Sequence, residues 1–346
     1  MPYTLIISEK PSAAGKIALA LSDGEAKKVT GRSGVAYYKL KRNGKDIVVA
    51  PAVGHLYALF EKKSSGMWRY PTFEVEWRPT YTNRNSLWAK KYFENIESLV
   101  DGASEFVSAT DYDREGSVIS YNIFRFICKV KDGKRMKFST LTKGDLVEAF
   151  DEASPHLDFP QIEAGLARHS LDWLWGINTS RALTLALRSA GGYETLSTGR
   201  VQGPTLKILT ERESEIASFV PVPYWELQLT GKLNKGDIIA LHEKDKFWDK
   251  KEAEKALSQS KGKASVTDVQ KQEYKQSPPT PFDLTTLQRE SYHHFKYSPK
   301  QTLDYAQVLY EKAIISYPRT SSQKLPAKIG YKKIIQQLAT HPGYSE

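Results

Sequence analysis

Short apolar runs alternate with helically spaced segments through the first part of the chain. Residues 3–7 form one such run, and helical spacing follows from Pro11. Two further apolar runs lie in residues 45–56 and 104–116, and residues 117–130 again have helical spacing. Strands that alternate with helices predict a parallel or mixed sheet whose functional edge lies at the carboxyl ends of its strands.

We therefore expect residues 1–150 to form a doubly wound α/β domain, with residues 57–100 as a loop-rich insertion. The pattern changes to helical spacing over residues 145–216, interrupted at the Gly191–Gly192 pair. This predicts a helical domain at 151–216.

The spacing of apolar residues changes again after this helical region. We expect a β-rich segment at 217–276 that contains a hairpin around residues 234–236, a charged helix at 250–260 and a strand at 263–274. A proline-rich linker then leads to helical segments, which predict a fourth domain at 277–346.

Charge and cysteine content narrow the class of protein. The 346 residues include 50 Lys+Arg and 40 Asp+Glu, a formal charge of +10 that favours a polyanionic partner, nucleic acid before membrane. A basic but unspecialised surface is the alternative. The single cysteine, Cys128, excludes an intramolecular disulfide and a cysteine-based zinc site. Because the chain has neither a signal peptide nor an apolar run of about 18 residues, we expect a cytoplasmic protein.

Carboxylates follow two of the predicted strands. Asp111, Asp113 and Glu115 alternate in "TDYDREG", so an extended segment would place all three on one face, where they suit Mg²⁺. A solvated acidic turn is the alternative, whereas a calcium loop is excluded because Asn122 occupies its twelfth position. Glu9 ends the first strand, so a parallel sheet would bring it to the same edge, and the neighbouring Lys10 adds a cation or proton donor.

Tyr317 lies in "IISYPRTSSQ", where Pro318 favours an extended backbone at the tyrosine. Arg319 is suited to binding a phosphate, and Thr320 offers a further donor. These residues predict a phosphoryl-accepting tyrosine. A buried tyrosine beside an arginine in a surface ion pair remains the alternative for this segment alone.

Five motifs together resemble those of the type IA DNA topoisomerases, in order and rough spacing. They are "IISEKPSAAGKIA", "TDYDREG", "LSTGRVQGPTLKILTERESEI", "PFDLTTLQRE" and "YEKAIISYPRTSSQKLP". The "EKPS" opening is closer to the archaeal topoisomerase I and topoisomerase III branch. The resemblance implies a Toprim domain at 1–150, a helical DNA-groove domain at 151–216, a β-rich arch segment at 217–276 and an incomplete helical tyrosine domain at 277–346.

The resemblance also implies a mechanism. Tyr317 would attack a phosphodiester of single-stranded DNA and form a 5′-phosphotyrosyl link, and the full-length enzyme would relax negative supercoils. Glu9 and Lys10 would handle protons at the leaving 3′-oxygen, and Arg319 would hold the scissile phosphate. Mg²⁺ on Glu9 and the three carboxylates of "TDYDREG" would align the 3′-hydroxyl for religation.

Strand-binding residues follow from the same resemblance. They are Arg168, Asp172, Ser197, Arg200 and Gln202, with Thr320, Arg114 and His55 as further candidates; Asp172 could instead simply orient Arg168, and the "GHL" around His55 could be only a turn. The expected partner is single-stranded or negatively supercoiled DNA on the chromosome. No GxxxxGK[ST] string is present, so we expect no ATP requirement, and we expect a monomer.

The chain ends soon after the tyrosine motif, whereas members of this family continue well beyond it. We therefore expect an amino-terminal fragment whose strand passage is in doubt. Two other functions remain open at this point: a Toprim-type nuclease or primase-like transferase, and a non-catalytic module that binds single-stranded DNA.

Overall fold

The structure is a computed structural model that describes residues 2–31, 33–62, 70–233, 236–325 and 329–344. The chain divides into two compact units, one of Met1–Arg200 with Pro279–Glu346 and one of Val201–Pro278.

The first unit contains the elements of the predicted α/β domain. Its strands are β1 (Tyr3–Ser8), β2 (Lys27–Thr30), β3 (Ala36–Arg42), β4 (Lys45–Pro51), β5 (Tyr57–Glu61), β6 (Val75–Pro79), β7 (Ala103–Ala109) and β8 (Lys134–Arg135). Its helices are α1 (Pro11–Leu21), α2 (Lys90–Glu97), α3 (Arg114–Ile123), α4 (Lys143–Asp151) and α5 (Phe159–Ser189), and the later helices α8 (Leu284–Phe295), α9 (Pro299–Glu311) and α10 (Tyr331–Ala339).

A six-stranded mixed sheet forms the centre of this unit, in the order β2-β3-β4-β1-β7-β8. The strands β4, β1, β7 and β8 run parallel, and β2 and β3 extend the sheet antiparallel at one edge. In the register of β1 and β7, Ser8 pairs with Ala109, so the residues that follow both strands emerge side by side. The sheet is mixed, as the alternation of strands and helices predicts.

Helices cover both faces of the sheet, which explains the uninterrupted apolar run of β1. Leu5 and Ile7 lie in a core with Ile96 of α2 and Ile119 of α3. Ile6 points the other way, into a second core with residues of α1, α4 and α9. Because alternate residues of a strand face opposite sides, burial on both faces favours consecutive apolar residues such as Leu5, Ile6 and Ile7.

The described part of the predicted insertion at 57–100, from which residues 63–69 are excluded, holds more regular structure than a loop-rich segment. Strands β5 and β6 pair antiparallel, and α2 packs against one face of the main sheet.

Cys128 lies in the same core as α2, in a π-helical turn, and is 5% exposed. Burial raises the pKa of its thiol to about 12. Among the described helices, none is long and apolar enough to span a bilayer.

The second unit contains α6 (Gln202–Ser218), the hairpin of β9 (Gln228–Leu233) and β10 (Gly236–Leu241), and α7 (Lys250–Gln259). The hairpin and the charged helix agree with the sequence prediction, although residues 234–235 of the expected turn lie outside the described residues. The strand predicted at 263–274 is wrong. Its apolar positions are exposed, Val269 by 81%, and within the described residues no strand pairs with this segment.

Candidate active site

The carboxyl ends of β1 and β7 bring Glu9 and Asp111 to one edge of the sheet. Val53 and Ala52, in the loop after β4, donate backbone hydrogen bonds to the carbonyls of Glu9 and Ser8, which fixes the turn out of β1. Asp111 is 4% exposed, and its Oδ2 accepts from Nζ of Lys10 at 3.4 Å. The sequence-predicted neighbours Glu9, Lys10 and Asp111 therefore lie together.

Burial and mutual repulsion favour the protonated forms of these carboxylates. The pKa of Glu9 rises to about 7 because the half-buried carboxylate is desolvated and lies beside Asp111 and Asp113, although Lys10 opposes the rise. Burial also raises the pKa of Asp111. Crowded carboxylates with raised pKa values form a site that a divalent cation would neutralise, and their oxygens are the hard donors that Mg²⁺ prefers.

A buried arginine, which the sequence analysis did not identify, binds the backbone of the acidic loop, residues 110–113 between β7 and α3. Arg135 of β8 is 1% exposed and donates to the carbonyls of Thr110 and Asp111, both at 2.8 Å, and to the hydroxyl of Ser108 at 3.0 Å. Burial lowers the pKa of its guanidinium to about 10. Arg135 thereby fixes the backbone that presents Asp111.

Asp113 ends the acidic loop as the N-cap of α3. Its Oδ1 accepts from the backbone N–H of Gly116 at 2.7 Å. A Cβ at Gly116 would lie 2.2 Å from the carbonyl oxygen of Asp111, so only glycine allows the loop to close this tightly. The predicted extended run through residue 115 is therefore wrong, because β7 ends at Ala109 and the cap starts a helix at Arg114.

The helical position of Glu115 separates its carboxylate from the side-chain contacts of Asp111. Oε2 of Glu115 accepts hydrogen bonds from Nε2 of His55 and Nε2 of His169, each at 3.0 Å. Arg168 lies 3.7 Å from the other oxygen. Hydrogen bonds from His169 and His55 hold the pKa of Glu115 far below its usual range.

Tyr317 reaches this edge from the carboxyl-terminal part of the chain. Its backbone N–H donates to the carbonyl of Ser139 at 2.8 Å, and its hydroxyl donates to Oδ2 of Asp113 at 2.6 Å. Burial and this bond raise the pKa of Tyr317 well above its usual range. The tyrosine and the carboxylates, predicted separately from the sequence, thus meet in one site.

A second tyrosine, which the sequence analysis also did not identify, lies beside the first. Tyr310 at the end of α9 is 1% exposed and donates from its hydroxyl to Oδ1 of Asp111 at 3.2 Å. Its ring contacts that of Tyr317 edge-on, with centroids 5.2 Å apart. Lys10 also lies 3.6 Å from Glu311, the residue after Tyr310. These contacts join the sheet edge to α9.

A cavity of about 500 Å³ opens beside Asp113, the hydrogen-bond partner of Tyr317. Asp113, Arg114, Glu115, Arg168, His169, Asp172 and Arg319 line it. Arg114 and Arg319 are exposed, and within the described ranges neither forms an ion pair. Two guanidinium groups at the mouth of a cavity can donate hydrogen bonds to phosphate oxygens.

Asp172 joins two of the predicted strand-binding arginines. It lies 3.6 Å from Nε of Arg168 and accepts from Nε of Arg200 at 2.5 Å, which lowers the pKa of Asp172.

The remaining predicted strand-binding residues lie apart from these contacts. Ser197 is exposed. The backbone N–H groups of its neighbours Leu196 and Thr198 donate to the side-chain hydroxyls of Thr184 and Ser180 on α5.

Thr320 follows Arg319, and its carbonyl accepts from Leu284 of α8. Gln202 begins α6 in the second unit.

Comparisons with known proteins agree with this architecture. Residues 156–346 match the family model described as DNA topoisomerase, and residues 4–141 match the Toprim domain. The chain is 49% identical over 345 residues to DNA topoisomerase 1 of Pyrococcus horikoshii, covering 98% of this chain and 50% of the relative. It is 46% identical over 345 residues to DNA topoisomerase 1 of Methanocaldococcus jannaschii, covering 99% of this chain and 44% of the relative.

A solved structure gives the same result for the fold. Full-length topoisomerase I from Thermotoga maritima matches 98% of this chain and 53% of its own, with a TM-score of 0.69 and 26% identity. The chain belongs to the type IA DNA topoisomerase family. The resemblance and the Toprim-type α/β fold class expected from the sequence are confirmed, and the chain spans about half the length of the curated relatives it matches.

Proposed function

We propose that this chain contains the cleavage centre of a type IA topoisomerase, which cuts and rejoins single-stranded DNA through Tyr317. The observation that carries the proposal is the hydrogen bond of 2.6 Å between the Tyr317 hydroxyl and Asp113. It supports the proposal because the Tyr317 hydroxyl lies against a carboxylate that could take its proton, and that carboxylate lines a cavity with cationic side chains.

The proposed cleavage is a transesterification. The Tyr317 oxygen attacks the phosphorus, the bond from phosphorus to the 3′-oxygen breaks, and a 5′-phosphotyrosyl link forms. Asp113 takes the tyrosine proton, since it already accepts the hydrogen bond. One phosphoester bond replaces another, so the step needs no ATP.

Protonation of the leaving 3′-oxygen falls to Glu9 or Lys10 in this proposal. A carboxyl whose pKa is about 7 holds a transferable proton at neutral pH, and Lys10 lies next to it. In the reverse direction the same groups take the proton from the 3′-hydroxyl, and Asp113 returns one to Tyr317.

Arg319 and Arg114 would hold the phosphate at the cavity mouth in this mechanism. Phosphate oxygens near the cavity would also compete with Asp172 for Arg168 and Arg200, so the strand would replace an internal ion pair.

The Toprim family binds Mg²⁺ through acidic residues, and Glu9, Asp111 and Asp113 have the oxygen donors and the charge repulsion that fit the ion. Mg²⁺ there would supply positive charge next to the 3′-hydroxyl during religation. Glu115, predicted as a further ligand, would first have to leave its two histidines.

End-labelled single-stranded DNA tests the proposal. The chain and its Tyr317→Phe variant are incubated with the DNA, with and without Mg²⁺, and analysed on denaturing gels. Tyr305→Phe is the matched control, because Tyr305 is a half-exposed tyrosine of α9. A protein-linked band that is lost only in Tyr317→Phe supports the proposal.

Two other results would point elsewhere. Metal-dependent hydrolysis without a protein-linked band would indicate a Toprim-type nuclease. Salt-sensitive binding without any chemistry, in this chain and in a version extended to the relatives' length, would indicate a binding module.

A further inference from the structure

His55, Glu115 and His169 form a compact group of potential metal ligands next to the acidic cluster. One atom from each residue lies within 4.8 Å of the other two, and both Nε2 atoms are 3.0 Å from the same carboxylate oxygen. It is the only group of three or more such residues found in the described part of the chain.

The chemistry of these donors differs from that of the Mg²⁺ site. Two imidazole nitrogens with one carboxylate oxygen form a donor set that zinc and related divalent transition metals prefer, whereas Mg²⁺ prefers oxygen. Tetrahedral coordination at about 2.0–2.1 Å places donors about 3.3 Å apart, which is close to the 3.0 Å separations here.

The three donors come from separate and well-anchored elements. His55 follows Gly54, whose φ is +86°, in the loop after β4, and its carbonyl accepts from Thr80. His169 lies on α5, and its ring contacts Trp77 edge-on at 5.7 Å. Glu115 is held in the first turn of α3. Little rearrangement is needed to receive an ion.

Solvent reaches the group through the cavity, which Glu115 and His169 both line. Water can therefore complete the coordination shell. Nδ1 of His55 is buried without a hydrogen-bond partner in the described residues, so this ligand lacks the outer partner that strengthens metal-bound histidines.

We propose that His55, Glu115 and His169 form a second cation site, selective for zinc-class divalent metals over Mg²⁺. Because His55 lacks an outer partner, the site binds more weakly than dedicated structural zinc sites. An ion there holds Glu115 at the edge of the cavity that Arg168 and Arg319 also line.

Co²⁺ is the probe, since its visible absorption reports nitrogen and oxygen coordination. The whole chain, freed of metal with a chelator, is titrated with Co²⁺ in the presence of excess Mg²⁺. We expect one equivalent to bind, Zn²⁺ to displace it, and His55→Gln and His169→Gln each to weaken binding at least ~10-fold. This readout does not depend on DNA cleavage, so it stands or fails separately from the proposed function.

Two control variants make the assignment specific. His293 and His294 are adjacent imidazoles with Glu290 nearby, so their double change to Gln tests casual binding to exposed histidines. Glu9→Gln tests whether Co²⁺ instead occupies the acidic cluster. Neither control should alter Co²⁺ binding, and loss of binding in either one would overturn the proposal, as would the absence of an absorption band in the unaltered chain.

A measurement without substitutions covers the case in which a histidine variant does not fold. Paramagnetic Co²⁺ should broaden the NMR signals of His55 and His169 before those of any other histidine. Broadening that begins at His293 or His294 would overturn the proposal.

Discussion

The Tyr317 hydroxyl donates a hydrogen bond of 2.6 Å to Asp113, which lies 204 residues earlier in the chain. The same carboxylate caps α3 through its other oxygen. One aspartate thus fixes the start of a helix and receives the hydroxyl of the proposed nucleophile, and substitutions can separate these two tasks.

Asp113→Asn should reduce formation of the covalent DNA adduct by about 10²–10⁴-fold, because an amide accepts the hydrogen bond but cannot take the proton. Its stability should stay close to that of the unaltered chain, since Asn is as good an N-cap as Asp. Asp113→Ala should lose a further ~1 kcal/mol of unfolding free energy with the cap. Single-turnover cleavage and denaturant unfolding measure both effects; cleavage at the normal rate in Asp113→Asn would exclude Asp113 as the acceptor.

Tyr310→Phe should weaken Mg²⁺ binding several-fold at neutral pH while the ring packing is kept. The Tyr310 hydroxyl lowers the pKa of Asp111, so removing it raises that pKa further and makes protons compete better with the metal. Calorimetric Mg²⁺ titration of the whole chain measures the change. Tyr305→Phe on the same helix should leave the affinity unaltered, and equal affinities in all three chains would contradict a role for Tyr310.

Stability without metal should fall as the pH rises from about 4.5 to about 7. The pKa of Glu9 is about 7 in the folded chain against 4.5 for the ordinary group, so over this range the folded state binds more protons than the unfolded state. The loss should be on the order of 2 kcal/mol, since part of the shift is screened by solvent. Denaturant unfolding in a chelator, repeated across this range, measures it.

Two comparisons check that Glu9 causes the slope. Glu9→Gln should flatten the pH dependence, while Glu163→Gln on the exposed face of α5 should not. Added Mg²⁺ should restore stability at pH 7. Parallel curves for the unaltered chain and Glu9→Gln would contradict the assignment.

Arg135→Met should lower the unfolding free energy by about 2–4 kcal/mol and abolish cleavage. The change leaves the carbonyls of Thr110 and Asp111 without their buried donor. Lys134→Met next to it removes only a half-exposed ion pair with Glu105 and should cost less than ~1 kcal/mol. If the two variants were equally stable, Arg135 would not be what fixes the acidic loop.

The sequence predicted the meeting of Glu9 and Asp111 because alternation of strands and helices determines which strand ends share an edge. It predicted the wrong conformation beyond Asp111, because the pattern of alternate carboxylates resembles a strand and hides the capping role of Asp113. The strand prediction for residues 263–274 was wrong for a related reason. Alternating apolar and polar residues do not form a strand where no partner strand is available.

Arg135 and Tyr310 were missed because burial of a polar side chain leaves no local sequence signal. Arg135 stands in "KRMKF", where it resembles a surface cation, and Tyr310 stands on a helix among other tyrosines. His169 was missed because its partners, His55 and Glu115, are 114 and 54 positions earlier in the sequence. Only the folded chain brings the three residues together. Pairings of this kind depend on tertiary packing.

The burial of Cys128 gives the chain a practical property. The only thiol of the sequence lies in the core and has a pKa of about 12, so it stays protonated and inaccessible to maleimides at neutral pH. A cysteine introduced at an exposed position can therefore be labelled alone, without first removing the native one. Pairs of dyes placed on the sheet edge and on α9 would then report, by energy transfer, whether these two parts separate when DNA is cut.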